Sequence, residues 1–140
     1  MAIMRLPTTM RNALADALAR RIDGGGGAGT ISLYTGPLPE SADTPVGGQI
    51  LLGKLTCSYP VGTGGTHAGV LTFDAIAEDP SAASSGTAAW ARIADAAGAP
   101  VFDCDVTEPG AGGTIEMNTT RIVAGGPIRL RGFIITFPAG

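Results

Sequence analysis

The sequence predicts an all-β protein: a jelly-roll-like β-sandwich of about eight strands with one N-terminal α-helix arm. Three observations lead there. Eight short segments have the alternating or β-branched character of strands. Turns rich in glycine and proline separate them, with 22 Gly and 10 Pro in 140 residues. The one clearly helical stretch lies ahead of a run of four glycines, Gly24 to Gly27. Turns at roughly 8–15-residue intervals suit a sandwich, and the absence of an internal repeat argues against a propeller or solenoid.

The helix is placed by Pro7 and the pair Thr8-Thr9, with a threonine expected as N-cap. Met10, Leu14, Leu18 and Ile22 recur every fourth residue and form a narrow apolar stripe. Four successive glycines end it. A helix of about 14 residues is marginal alone in water. Its stripe must therefore rest on something, either the protein's own body or a neighbouring subunit. The organisation expected is residues 1–29 as helical arm and Gly-rich linker and residues 30–140 as the sandwich.

The expected strands follow in order. Thr30–Thr35 alternates apolar and polar residues. A loop with Pro37, Pro39 and Pro45 precedes a strand over Gln49–Ser58. A Gly/Thr-rich segment containing His67 precedes Val70–Ile76, where Leu71 and Phe73 oppose Val70, Thr72 and Asp74. Thr87–Asp95 is ambiguous: its alanines favour helix, yet it reads as a strand pairing back with Val101–Val106 as a hairpin. Thr114–Met117, Arg121–Ala124 and Ile128–Phe137 complete the set. The apolar run Phe133-Ile134-Ile135 predicts a central strand covered on both faces.

Composition narrows function. The chain is one domain by length. Charged residues make up 15%, against roughly 25% in an average soluble domain, and mean hydropathy is +0.26. Two accounts fit: a surface partly covered in an assembly, or a score raised by glycine and alanine. No run approaches the ~18 apolar residues of a membrane span, and no secretory signal is expected from the first residues. The net charge of −3 excludes a broad basic face for nucleic acid. Residues 1–29 hold four arginines against two aspartates, so they carry +2 and the remainder −5. A basic arm on an acidic body suits docking to a neighbour or partner; an ordinary solvated helix explains it equally. Cys57 and Cys104 are expected as small buried hydrophobes, and the Asn118-Thr119-Thr120 sequon carries no weight without a secretion signal.

No pattern of reactive groups stands out. Gly24, Gly26 and Gly29 formally match G-x-G-x-x-G, but a dinucleotide site needs a strand before and a helix after, the reverse of the order here. Asp103 and Asp105 share one side of a strand; they are a weak site for a divalent cation or, more simply, a solvent face with Phe102 and Cys104 inward. Asp74, Glu78 and Asp79 read as a solvated turn. His67 is the lone imidazole, so neither a multi-His metal site nor a Ser or Cys nucleophile with its base is available. No catalytic residue, metal, cofactor or small-molecule substrate is expected. The candidate interface residues are Met10, Leu14, Leu18, Arg20, Arg21, Arg129 and Arg131. Arg129 and Arg131, with Arg121, form either a clamp for carboxylates or exposed arginines on one sheet face. Trp90 is a core residue or an interface anchor.

Three segments carry a family resemblance: Thr87-Ala-Ala-Trp-Ala-Arg-Ile-Ala-Asp-Ala-Ala-Gly-Ala-Pro-Val-Phe-Asp103, Ile115-Glu-Met-Asn-Thr-Thr-Arg-Ile-Val-Ala-Gly-Gly-Pro-Ile128, and Ile31-Ser-Leu-Tyr-Thr-Gly36 followed by Pro39 and Ala42-Asp43. Together they resemble capsid cement (decoration) proteins of short-tailed bacteriophages of Gram-negative hosts. The resemblance implies a jelly-roll-like sandwich made in the host cytoplasm and mounted on the outer capsid surface of the virion, as a homodimer across junctions between major capsid proteins. It favours a strand over Thr87–Asp95 and transfers no site residue. The alternative is a tail, neck or fibre/host-attachment component of the virion.

Overall fold

The computed structural model describes residues 3–63, 69–130 and 132–138. The chain is mostly β with one helix. Helix α1 spans Thr8–Asp23. Strands β1 (Thr30–Tyr34), β2 (Leu51–Thr56), β6 (Trp90–Ala94), β7 (Pro100–Thr107) and β8 (Ile115–Glu116) form a five-stranded sheet in the order β2-β1-β6-β7-β8. Strands β3 (Gly62–Thr63), β4 (Val70–Phe73) and β10 (Ile134–Thr136) form a second sheet ordered β10-β4-β3, and β5 (Gly86–Thr87) pairs with β9 (Arg121–Ile122).

The two larger sheets share one core. Ile31 and Leu33 of β1, Leu55 of β2, Ile93 of β6 and Leu71 of β4 are fully buried in one cluster. Phe133 stacks on Phe73 at 4.4 Å between centroids and tilts against Phe102 of β7 at 6.2 Å, joining the sheets through aromatic rings. Along β2 burial alternates only from Gly53 to Thr56, with Gly53 and Leu55 inside and Lys54 and Thr56 outside, while Leu52 is buried as well.

Helix α1 lies on this body. Ala15, Ala19 and Ile22 are buried in the common cluster and Leu18 packs at its margin. Its inward face is thus rotated from the Met10–Leu14–Leu18 stripe toward the two alanines, whose small side chains let the helix approach β4 closely. The N-cap is Pro7, with no side-chain cap, rather than a threonine. Arg20 and Arg21 occupy the last turn, where the helix dipole favours cations. Of the glycines that follow, Gly25 and Gly29 serve close packing: a Cβ on Gly29 would lie 2.5 Å from Ile22 Cγ2 and 2.8 Å from the Ala94 carbonyl oxygen.

Expectations for the strands change as well. The central strand covered on both faces is β6, third in the five-stranded order, with all five residues buried. The Phe133-Ile134-Ile135 run instead supplies β10, a short strand at the edge of its sheet, with Ile134 56% exposed. Ile128, expected in the same strand, makes a separate bridge to Asp79.

The outer edge of β2 is sealed. Ala83 N–H donates to the Leu52 carbonyl, Ala77 N–H to the Thr56 carbonyl, and Lys54 N–H to the Asp79 carboxylate. Strands β7 and β8 run parallel, Val106 opposite Ile115, joined by a short loop. That loop closes on itself: Gly113 N–H donates to Thr107 Oγ1 and Met117 N–H to the Thr107 carbonyl, with Gly110 and Gly112 at positive φ.

Candidate functional site

One face of the five-stranded sheet carries a line of polar and aromatic groups set by register. Tyr34 pairs with Trp90, Ser32 with Arg92, Arg92 with Asp103, and Trp90 with Asp105. The Tyr34 and Trp90 rings stack at 4.6 Å, and Trp90 Nε1–H donates to the Thr35 carbonyl at 2.9 Å. The Arg92 guanidinium lies 5.4 Å from the Trp90 ring centroid. Its Nε and Nη2 donate to the two Asp103 oxygens at 2.7 and 2.9 Å, a bidentate fork. Trp90 is thus wholly buried, on the face of β6 opposite the common apolar cluster that holds Ala91 and Ile93.

This corrects the view of Asp103 and Asp105 as a shared solvent face. The Asp103 side chain is 8% exposed and consumed by Arg92. Asp105 is exposed and accepts the Thr114 backbone N–H at 2.9 Å; hydrogen bonding from Thr114 holds its pKa below the usual carboxylate range. Two of the three turn carboxylates are likewise engaged, while Asp74 is exposed. Asp79 accepts the backbone N–H groups of Lys54 and Ser81, while Glu78 pairs with Arg129. Among the described residues no group of three or more His, Cys, Asp or Glu is placed to hold a metal ion. His67 lies outside the described residues.

The thiols are buried. Cys57 is pushed up to about 11 by burial, with the Asp23 charge adding to it; Cys104 is pushed up to about 12 by burial, then by Asp105 and Asp103. Neither has the electropositive, open setting of a nucleophile.

The candidate interface residues are dispersed. Met10 is 46% exposed, while Leu14 and Leu18 are half-buried. Arg20 pairs with Asp16 one turn back, and Arg21 is exposed. Arg129 pairs with Glu78 across the bridge joining Ile128 to Asp79. Arg131 lies outside the described residues. Arg129 and Arg121 do meet at one place, the rim of a cleft of about 480 Å³ floored by Met117, Ile122 and Ile128. The rest of the exposed apolar surface escaped the helical stripe: Ile3 and Met4 ahead of α1 are each 74% exposed, and Tyr59, Val123 and Ile134 exceed half. Such positions have no shared periodicity, and Val123 and Ile134 fall inside expected strands, so no local pattern marked them in the sequence.

No family model, no curated protein and no solved structure matches the chain.

Proposed function

We propose that this chain is a structural virion protein that binds the outer surface of a bacteriophage capsid and cements adjacent major capsid proteins. It acts by adhesion, with no chemical step of its own, and its two sheets form a jelly-roll-like sandwich. The sequence resemblance supplies the class. The observation that carries the reading is the apolar, basic lead-in to α1: Ile3 and Met4 are 74% exposed, Met10 follows at 46%, and Arg5 lies between them on an otherwise acidic chain. Large apolar side chains left in water close together along the chain suit a docking surface. Weak contacts of this kind, repeated over an icosahedral lattice, add through multivalency.

The test is binding to shells. Purified protein added to capsids lacking it should co-sediment at a saturating ratio near one copy per major capsid protein. Met10→Asp should abolish attachment while leaving the fold intact, because Met10 is outside the core. A ratio of only a few copies per particle would favour a tail, neck or fibre component. Absence from finished virions refutes both.

A further inference from the structure

Strand β10 presents an open hydrogen-bonding edge whose phase suits pairing with a copy of itself. Its bonds to β4 fix the phase. Phe73 N–H donates to the Phe133 carbonyl and Phe137 N–H to the Gly69 carbonyl, so residues 133, 135 and 137 turn their backbone groups toward β4. The N–H and C=O of Ile134 and Thr136 therefore point away from the sheet. Among the described residues no backbone group meets them.

Strand β10 is short, at three residues, but carries none of the other devices that blunt natural edges. Gly132 to Phe137 holds no charge and no proline, and Ile134 and Thr136 are exposed. The outer edge of β2, by contrast, is capped by Ala77, Asp79 and Ala83.

We propose that two copies of this chain associate through antiparallel β10–β10 pairing about a two-fold axis at Ile135. In that register Ile134 faces Thr136 of the other copy, so each outward N–H meets an outward C=O. Gly132 then opposes Pro138, whose missing N–H ends the ladder. Space for the arriving strand exists beside Gly132–Ile134: a groove of about 570 Å³ runs between Thr72, Phe133 and Ile134 on one side and Thr114 and Glu116 of the β8 edge on the other.

Charge matches as well. Gly69, bonded to Phe137, also donates its N–H to Asn12 Oδ1, which ties the far end of β10 to the start of α1. The first turn of α1 has no acidic residue and follows Arg5. Antiparallel pairing carries this basic end toward Glu116 in the groove of the other copy. Edge pairing over so few residues buries less than the roughly 800 Å² per partner of a standard interface, so the dimer should be concentration-dependent, with a Kd of order 10 μM or weaker. The inference stands whether or not the capsid reading holds.

The experiment combines sedimentation with site-specific crosslinking of the full chain. The wild type should dimerise reversibly. Thr136→Pro removes only an outward N–H and should weaken dimerisation at least about tenfold; Ile134→Lys, which places a charge on the edge without touching the β4 ladder, should do the same. Far-UV circular dichroism should stay unchanged in both. Ile135→Cys should form a disulfide-linked dimer on mild oxidation, because residues facing across the axis in a non-hydrogen-bonded pair are about 4.5 Å apart at Cα. Thr136→Cys, offset from its own mate, should not. A wild type that remains monomeric at millimolar concentration overturns the proposal, as does dimerisation that both edge variants leave untouched or crosslinking at 136 in preference to 135.

Discussion

Removing the carboxylate of Asp103 tests the central ion pair most directly. In Asp103→Ala the Arg92 guanidinium keeps its place, 10% exposed by its side chain, but loses both oxygens at 2.7 and 2.9 Å. Exposed pairs contribute about 0.2–1 kcal/mol, whereas stripping a partner from a buried pair costs about 3–5 kcal/mol. This pair lies on the outer side of the sheet, where Asp103 shares a cleft with Leu38 to Ala42 of the loop after β1 rather than with a second layer. A cost of about 2–4 kcal/mol follows, between those limits. With a urea dependence of about 2 kcal/mol per molar, the unfolding midpoint should fall by about 1–2 M. Trp90 is the single tryptophan and touches Arg92, so its fluorescence reports the transition at the perturbed strand. Replacing both partners, as in R92L/D103L, should recover most of the loss, since it leaves no stranded charge. A single-mutant cost below about 0.5 kcal/mol would refute the reasoning, because it would place the pair in the class of solvated surface contacts.

Three further outcomes are expected. Gly53→Ala should destabilise by about 1–3 kcal/mol in the same urea assay, because the added Cβ would run into Ile128 Cδ1 and come within 2.8 Å of Asp79 Oδ2. Native protein at pH 8 should release almost no colour with a thiol-specific disulfide reagent, and unfolded protein should release two equivalents, since Cys57 and Cys104 are both free and buried. Asp105, whose folded pKa is depressed, contributes stability that is present above its ordinary value of 3.8 and lost as pH falls through the lower folded value. The stability gap between wild type and Asp105→Asn should therefore close as pH drops below about 3.8; a gap that persists at pH 2 argues against the Thr114 contact as its source.

A strand with one wet face was legible where burial alternates with sequence, as in β4, with Leu71 and Phe73 buried and Thr72 exposed. The hairpin of β6 and β7 was legible from its turn at Asp95 to Ala99. What misled was the assumption that β-branched, apolar runs mark the centre of a sheet. β6 is central although it reads Trp-Ala-Arg-Ile-Ala, because Arg92 is neutralised by Asp103 and small alanines fit between neighbours. β10 is apolar yet peripheral. Cross-strand partners such as Arg92 and Asp103 lie 11 residues apart, and their meeting depends on a register shift near Ala94 that no local pattern announces. The helix was found from its fourth-residue stripe, but its inward face depended on where β4 could approach, which selected Ala15 and Ala19. The rim of the 117–129 cleft was glimpsed only as separate arginines, because its floor is built from three short segments.

The closed loop between β7 and β8 makes this molecule a natural carrier. Its two ends leave adjacent, hydrogen-bonded positions, so a foreign peptide spliced between Pro109 and Gly110 would begin and finish at the same spot on the sheet. Glu108 to Gly112 are exposed, and lengthening such a loop costs only about 0.6 kcal/mol per doubling. Grafted epitopes should thus be displayed outward without disturbing the strands beneath, provided Gly113, whose Cβ would collide with Thr107, is kept.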